Sequence, residues 1–529
     1  MKIKKDISKN IFRGYDIRGV VPTEIDVDTA YTIGLGFGSH IKNLGKKICV
    51  VGHDNRISSD ELYNALITGI RQTGINVICL GLCTTPMYYY ACIKLKVHSG
   101  VMVTASHNPK DENGFKFAFD ESGNCKGQEI QEFKEFISKG NFKKGKGKIA
   151  HYNVKPDYVD LFRNNFNFGS RKIKVVIDPG NGTTSIIAKE LYEMFPIELI
   201  CINAESDGNF PNHHPDPCVE KNLESLKAAV IKEKADVGLG FDGDGDRIGV
   251  ISNTGKFIPT DQYMIMIIRD IINKVDKKEF LYDIKCSKSL IDEIEKLGGK
   301  AICSRTGNSY TKAAVKEYDL PFGGELSGHV YFRDRFLGID SGLYAGLRLL
   351  EILSNTKKSV DELLKGINKY YSTKEEIKFK TTDENKFQIV KKVEEYVKEK
   401  NYDYLDVDGV RVTFKDGWAL VRASNTGPNL TARFEAKTKK RLLAIEKEFT
   451  DLINKYNTNE EDTEVLEIEE TINIDEEKEI INESVIETEN NLTEEPVIIE
   501  DVVNPKILTA VEIIIDIVLI ALIIYSITI

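Results

Sequence analysis

The run Asp242-Gly-Asp-Gly-Asp246 carries the clearest chemical signal in this chain of 529 residues. In an extended segment, side chains at i, i+2 and i+4 project to one side. The intervening glycines let the backbone fold close around an ion. Carboxylates at this density after an apolar strand are costly without a cation to balance them. Hard oxygen ligands of this kind suit one Mg²⁺ per chain, with positions left over for phosphate or water. Other readings of the stretch fail. GLGFDG (238–243) fits a GxGxxG pattern, but Asp242, Asp244 and Asp246 would repel a pyrophosphate. As a calcium loop it would place Arg247 at the required glycine and Asn253 at the required final glutamate. GNFKKGKG (140–147) has Gly147 where a P-loop needs Ser or Thr.

Three further loops carry reactive side chains. Thr104-Ala-Ser-His-Asn-Pro109 follows an apolar run and ends in a proline that stops ladder pairing. Ser106 is placed there as a nucleophile or a phosphoryl carrier. Lys116, in Asn113-Gly-Phe-Lys116, brings an ammonium toward it. Gly324-Glu-Leu-Ser-Gly-His329 offers Glu325 and Ser327 to grip vicinal sugar hydroxyls, and His329 to move protons near neutral pH. Arg422-Ala-Ser424-Asn425-Thr426 combines a guanidinium, hydroxyls and loop amides, which is a phosphate grip.

The elements that position these loops repeat. KKICVVGHDNR (46–56), RKIKVVIDPGNG (171–182) and KKEFLYDIKCS (277–287) each have a basic start, an apolar run and a polar loop. Each leads through a helical stretch to a second apolar run: INVICLG (75–81), FPIELICIN (195–203) and KAICSRTG (300–307). Short apolar runs without alternation predict strands buried on both faces, in mixed sheets covered by helices. A third strand in each unit then runs into one of the reactive loops, so the loops are expected to share a cleft beyond the strand ends. After about residue 370 the pattern changes to alternating strands around a Lys415-Asp416-Gly417 turn and an amphipathic helix over 438–456. The expected fold is therefore three similar α/β domains (1–150, 151–256, 257–368) and a C-terminal α+β domain (369–456) around a central cleft.

Composition divides the chain further. Between Glu460 and Asp501 stand 18 acidic residues and one basic residue, Lys478, so the remaining +7 body favours an anionic small substrate. No Lys/Arg run interleaved with aromatics points to nucleic acid. Residues 457–506 lack both aromatics and glycine and read as a disordered acidic linker. Residues 507–529 are apolar and, as a helix, span about 34 Å against a hydrocarbon core of ~30 Å. A membrane anchor is the expectation and a partner-docking helix is its rival; Glu512 and Asp516 raise the cost of insertion. The odd number of cysteines, the lack of CxxC and the polar N-terminus without an apolar leader predict reduced thiols in a cytoplasmic body.

Taken in order, TASHNP, DGDGDR, GELSGH and RASNTGP resemble the α-D-phosphohexomutase superfamily, nearest its bacterial phosphomannomutase/phosphoglucomutase branch. FRGYDIRG (12–19), DGNFPNHHPDP (207–217), YDIKCS (282–287) and RTGNSY (305–310) extend the likeness over roughly residues 10–455. The resemblance implies that Ser106 is a phosphoserine whose phosphate shares the Mg²⁺ with Asp242, Asp244 and Asp246. It implies Arg247 and Lys116 steadying the transferring phosphoryl, and His329 as general acid/base. Glu325 and Ser327 would bind sugar hydroxyls. Arg422, Ser424, Asn425 and Thr426 would hold the non-reacting phosphate, with Tyr15, Arg18 and Lys285 lining the cleft. Asn308 stands where the branch usually has His in RTGHS, so it keeps hydrogen bonding but carries no charge. The implied activity interconverts hexose 6-phosphate and hexose 1-phosphate in a monomer or dimer, with a hexose 1,6-bisphosphate as activator. A metal-dependent phosphatase and an inactive, membrane-tethered binding protein are the alternatives.

Overall fold

Three sheets share one plan. In the first, Ile48–His53 lies between its parallel neighbours Asn76–Leu82 and Gly100–Val103, and Glu112–Ala118 returns antiparallel to Gly100–Val103. In the second, Ile173–Asp178 lies between Ile197–Cys201 and Val237–Phe241, and Ile248–Ser252 returns. In the third, Glu279–Asp283 lies between Lys300–Ser304 and Phe322–Gly324, and Val330–Phe332 returns. Edge strands complete the first two: Ile17–Val20 and Ile149–His151 in one, Phe257–Ile258 in the other. The first sheet thus runs across residue 150. The strands are buried at every position along Gly100–Val103, Val237–Phe241 and Phe322–Gly324. That is why these segments read as unbroken apolar runs rather than as alternation.

The shared plan decides where the chemistry sits. In every repeat the third strand turns back into the fourth, and the turn between them holds one reactive loop: Thr104–Asp111, Asp242–Arg247 and Glu325–His329. Three loops of different sequence therefore occupy the same topological position, at the carboxyl ends of parallel strands.

The fourth domain is different in kind. Its strands Tyr371–Ser372, Ile377–Lys380, Asn429–Ala436, Gly417–Ala423, Val410–Phe414 and Asp403–Leu405 pair only antiparallel. Helices Asn385–Glu399 and Lys439–Asn457 cover one face through Val393, Val397, Ile445 and Phe449. Phe414 pairs with Gly417, so the turn is Lys415-Asp416 and Gly417 already opens the next strand, one residue earlier than the sequence suggests.

The computed structural model describes residues 1–120, 123–373, 376–424 and 427–457, and Met1–Asn457 forms one compact unit. Asn425, Thr426, the acidic linker beyond Asn457 and the apolar 507–529 segment lie outside the described residues. Among the described residues no helix is long and apolar enough to cross a membrane.

Candidate active site

The Ser106 loop is held from behind by one buried arginine. Arg56 donates to the carbonyls of Ser106 (2.8 Å), Asn108 (2.7 Å), Pro109 (2.5 Å) and Glu112 (2.9 Å). From the other side, Arg18 donates to Ala105 O (2.9 Å) and Asn108 Oδ1 (2.6 Å). So braced, Ser106 is held at φ 53°, a left-handed conformation that non-glycine residues adopt only under constraint. Its hydroxyl is aimed at the second repeat and donates to Asp242 Oδ2 at 2.8 Å.

The carboxylate loop meets it at close range. A Cβ on Gly243 would stand 2.5 Å from the Ser106 carbonyl oxygen, so glycine is required between the aspartates for the two loops to touch. Gly245, at φ 82°, supplies the left-handed turn that brings Asp246 back alongside its partners. Ligand oxygens of Asp242, Asp244 and Asp246 lie within 4.8 Å of one another, and all three side chains are buried. Lys116 Nζ bridges Asp244 Oδ2 and Asp246 Oδ2, each at 2.7 Å, and Thr85 donates to Asp244 Oδ2 at 2.6 Å. The remaining oxygens, Asp244 Oδ1 and Asp246 Oδ1, are buried with no hydrogen-bond partner among the described residues. Burial, and then the charges of Asp246 and Asp244, push the Asp242 carboxyl well above the usual carboxylate range. Against its own burial penalty, Lys116 is held firmly protonated by Asp244 and Asp246. Excess negative charge, orphaned oxygens and hard ligands together fit a divalent cation such as Mg²⁺.

His329 closes the floor from the third repeat. Arg247 Nε donates to His329 Nε2 at 3.1 Å, while His329 Nδ1 lies 3.0 Å from Asp340 Oδ2. Arg247 is also 3.8 Å from Asp242; its burial penalty is overcome by Asp216 and Asp242. Asn308 donates through Nδ2 to Asp340 and lies 3.1 Å from His329 Nδ1, so its amide belongs to this group as much as to the cleft. His107 is held well below the ordinary imidazole value by burial and then by Arg247, Arg18, His329 and Lys116. It is neutral in this cationic corner.

Above the floor opens a cavity of about 410 Å³. Tyr15, Arg18, Lys285, Asn308, Glu325, Ser327, Arg422 and Ser424 all line it, as do Arg247 and His329. A narrow annex of about 20 Å³ continues it down to Ser106 and Lys116. Ser327 donates to Glu325 Oε2 at 3.2 Å, so this pair is pre-oriented. Arg422 pairs with Asp408 at 3.0 Å. Lys386 donates to the carbonyls of Ser424 (3.1 Å) and Gly427 (3.2 Å). Lys285 is set by its neighbours: Arg411 donates to Ile284 O (2.5 Å) and Cys286 O (3.1 Å) while lying 4.2 Å over the buried Trp418 ring. Glu376 and Asp283 keep Lys285 charged despite its burial.

Several of these residues escape a reading of the sequence. Arg56, Arg411 and Lys386 act through partners far along the chain, and Asp340 and Asp408 through partners 11 and 14 residues away, with no motif that joins them. Arg56 leaves one trace, a charge directly after an apolar strand in GHDNR (52–56).

Three mixed-sheet repeats and an α+β domain around one cleft, floored by a serine, three carboxylates and paired cations, define the architecture of the α-D-phosphohexomutases. The family descriptions "Phosphoglucomutase/phosphomannomutase, alpha/beta/alpha domain" I, II and III match residues 9–144, 156–255 and 259–370, and that of the C-terminal domain matches 376–452. A phosphomannomutase/phosphoglucomutase of Pseudomonas aeruginosa is 40% identical over 440 residues, covering 83% of this chain and 94% of the relative. A phosphoglucomutase of Neisseria gonorrhoeae is 37% identical over 450 residues, covering 84% and 97%. The crystal structure of a phosphoglucomutase/phosphomannomutase family protein from Burkholderia thailandensis superposes with a TM-score of 0.79 at 35% identity, covering 85% of this chain and 98% of that one. The chain belongs to the phosphoglucomutase/phosphomannomutase family.

Proposed function

We propose that this chain interconverts hexose 6-phosphates and hexose 1-phosphates, of glucose, mannose or both, through phosphoserine 106 and a bound 1,6-bisphosphate. One observation carries the reading: a constrained serine, three carboxylates and His329 converge beneath a cavity whose upper wall is cationic. In the forward step a sugar hydroxyl oxygen attacks the phosphorus on Ser106. The new sugar O–P bond forms as the Ser106 Oγ–P bond breaks, and the hydroxyl proton passes to His329. Lys116 and Arg247 offset charge on the transferring oxygens. Mg²⁺, held by Asp242, Asp244, Asp246 and the phosphate on Ser106, would add Lewis-acid stabilisation of that charge. The bisphosphate then turns over in the cavity. Its other phosphoryl returns to Ser106, and His329 gives the proton to the sugar oxygen released. Arg422, Ser424, Asn425 and Thr426 hold whichever phosphate is not reacting, while Glu325 and Ser327 hold sugar hydroxyls. A hexose 1,6-bisphosphate would activate the enzyme by phosphorylating bare Ser106.

The relatives' names support isomerisation over a phosphatase or an inactive binding protein. The domain division at 150, 256 and 368, a monomeric or dimeric cytoplasmic body, and a membrane anchor at 507–529 are parts of the same proposal. A coupled assay with glucose 1-phosphate and mannose 1-phosphate, with and without bisphosphate, tests it. Bisphosphate-stimulated formation of 6-phosphates is expected; release of inorganic phosphate at the same rate would point to hydrolysis instead.

A further inference from the structure

Behind His329 lies a second layer of charge that the phosphoryl-transfer reading does not use. Helix Asn308–Glu317 presents Asn308 and Lys312, four residues apart and so on one face, toward Asp340. Asp340 is fully buried. Its Oδ2 receives the Asn308 amide and faces His329 Nδ1 at 3.0 Å, and its Oδ1 lies 3.7 Å from Lys312 Nζ. Lys312 Nζ is buried with no hydrogen-bond partner among the described residues, and it sits 3.4 Å from the centroid of the Tyr89 ring. Tyr89 is four residues beyond Thr85, on the helix whose first turn donates to Asp244.

The stronger contacts of His329 favour one assignment for the imidazole proton. A guanidinium does not deprotonate in a protein and can only donate. Arg247 Nε points at His329 Nε2, so Nε2 must be the accepting nitrogen. The proton then resides on Nδ1, where Asp340 Oδ2 receives it. The opposite tautomer would set two donors against each other at Nε2 and leave Asp340 without the imidazole's hydrogen bond; Asn308 Nδ2, 3.1 Å from Nδ1, already donates to Asp340 Oδ2, and Asp246 Oδ1 lies 3.5 Å from Nδ1 as a second carboxylate oxygen. A carboxylate that fixes a histidine's tautomer and ring orientation is a large determinant of its catalytic power in other sites.

We propose that Asp340 and Lys312 are positioning residues for His329: Asp340 holds the imidazole in the Nδ1–H form, which leaves Nε2, the nitrogen that accepts from Arg247, as the basic one, and Lys312, clamped on the Tyr89 ring, fixes Asp340 as an oriented carboxylate. Asp340 is accordingly held low, at about 2, its burial penalty overcome by Lys312 and His329. Lys312 bears the cost: burial lowers its ammonium to about 8, despite Asp340. A cavity of about 240 Å³ at the seam of the first and third repeats, lined by Tyr89 and Lys312, leaves room for a longer cation at position 312.

This inference rests on the mutase reading for its kinetic consequences but not for its structural one. The direct test is ¹⁵N NMR of protein labelled at its eight histidines, with His329 assigned by comparison with His329→Gln. A protonated Nδ1 and a bare Nε2 are expected; the Nε2–H form in the native protein would overturn the proposal without any variant having to fold. Asp340→Asn should shift the tautomer balance and lower kcat about 100-fold, with KM changed less than about threefold. Lys312→Met should lower kcat about tenfold, and Lys312→Arg should restore most of it. Unchanged kcat in Asp340→Asn, or Lys312→Arg no better than Lys312→Met, would also overturn it. An Nδ1–H imidazole in a protein with no mutase activity would refute the mutase reading and leave the tautomer assignment standing.

Discussion

The floor of the cleft and its upper wall are built on different rules. On the floor, charges face each other dry and at contact distance: Lys116 sits 2.7 Å from two carboxylates, and Ser106, Asp242, Asp244 and Asp246 are at most 1% exposed. On the wall, Lys285 lies 3.9 Å from Asp283 and Arg422 pairs with Asp408 at 3.0 Å, around the open 410 Å³ cavity. Preorganised charge in a water-free site stabilises a transition state most, because nothing has to reorient as the reaction proceeds. A sugar held first by one end and then by the other needs an accommodating wall. The division predicts that floor variants lose kcat and wall variants lose affinity.

Ser106→Ala tests the floor at its most sensitive point. Mutase activity should drop about 10⁴-fold or more, the scale seen when the group that carries a covalent intermediate is removed. The far-UV circular dichroism should stay unchanged. Substantial activity in this variant would remove the phosphoserine from the mechanism. Next in size, Asp244→Asn should lower kcat at least ~100-fold, as for loss of one electrostatic stabiliser. Chelator should inactivate the native protein, and Mg²⁺ should restore it.

On the wall, Arg422→Ala should raise KM by about 10–100-fold, the worth of one charge-assisted hydrogen-bond pair, and change kcat far less. A kcat defect equal to that of Asp244→Asn would erase the distinction between the two regions. A smaller effect concerns the support beneath the floor. Asp178 Oδ2 receives His213 Nε2 at 3.1 Å, next to the loop whose Thr183 N donates to Gly243 O at 2.8 Å. Burial opposes the His213 charge, but hydrogen bonding to Asp178 wins and the imidazole value is raised. Its stabilisation is therefore complete below about pH 6.5 and fades as pH rises through the raised folded-state value. His213→Asn should lower the thermal midpoint more at about pH 5.5 than at about pH 9, with kcat nearly unchanged. The smallest effect belongs to the C-terminal segment. Truncation after Asn457 should leave turnover as it was, and membrane fractionation of the full chain decides whether 507–529 anchors it.

Much of the floor was legible in the sequence because its residues cluster in short loops after apolar strands. Ser106, the three aspartates, Arg247 and His329 stand in those loops, and Lys116 stands on the strand Glu112–Ala118 that follows the first of them. The repeated strands were equally plain, since burial on both faces leaves unbroken apolar runs such as Val175–Ile177. What was not legible acts over distance. Arg56 braces a loop 50 residues away, Asp340 and Lys312 meet His329 only through tertiary packing, and Arg411 reaches back 127 residues to set Lys285. Asn308 lines the cavity and, from the first turn of a helix, also donates into the His329–Asp340 group. No local pattern records such partners, because each is chosen by the fold and not by its sequence neighbours. The left-handed backbone at Ser106 is hidden for the same reason: serine shows no preference for that conformation, and the arginines that impose it lie elsewhere.

The central claim is that Ser106 carries the phosphoryl group that moves. Protein whose Ser106 phosphoryl carries ¹⁸O, introduced from a labelled hexose 1,6-bisphosphate, should be freed of excess ligand and mixed with one equivalent of unlabelled glucose 6-phosphate or mannose 6-phosphate. Intact-mass analysis and ³¹P NMR would then follow a single turnover. The account predicts that the label leaves Ser106 for the sugar, that an unlabelled phosphoryl from the substrate takes its place on the protein, and that no inorganic phosphate is released. Retention of the labelled phosphoryl on Ser106 while 1-phosphate accumulates, or its release as inorganic phosphate, would contradict it.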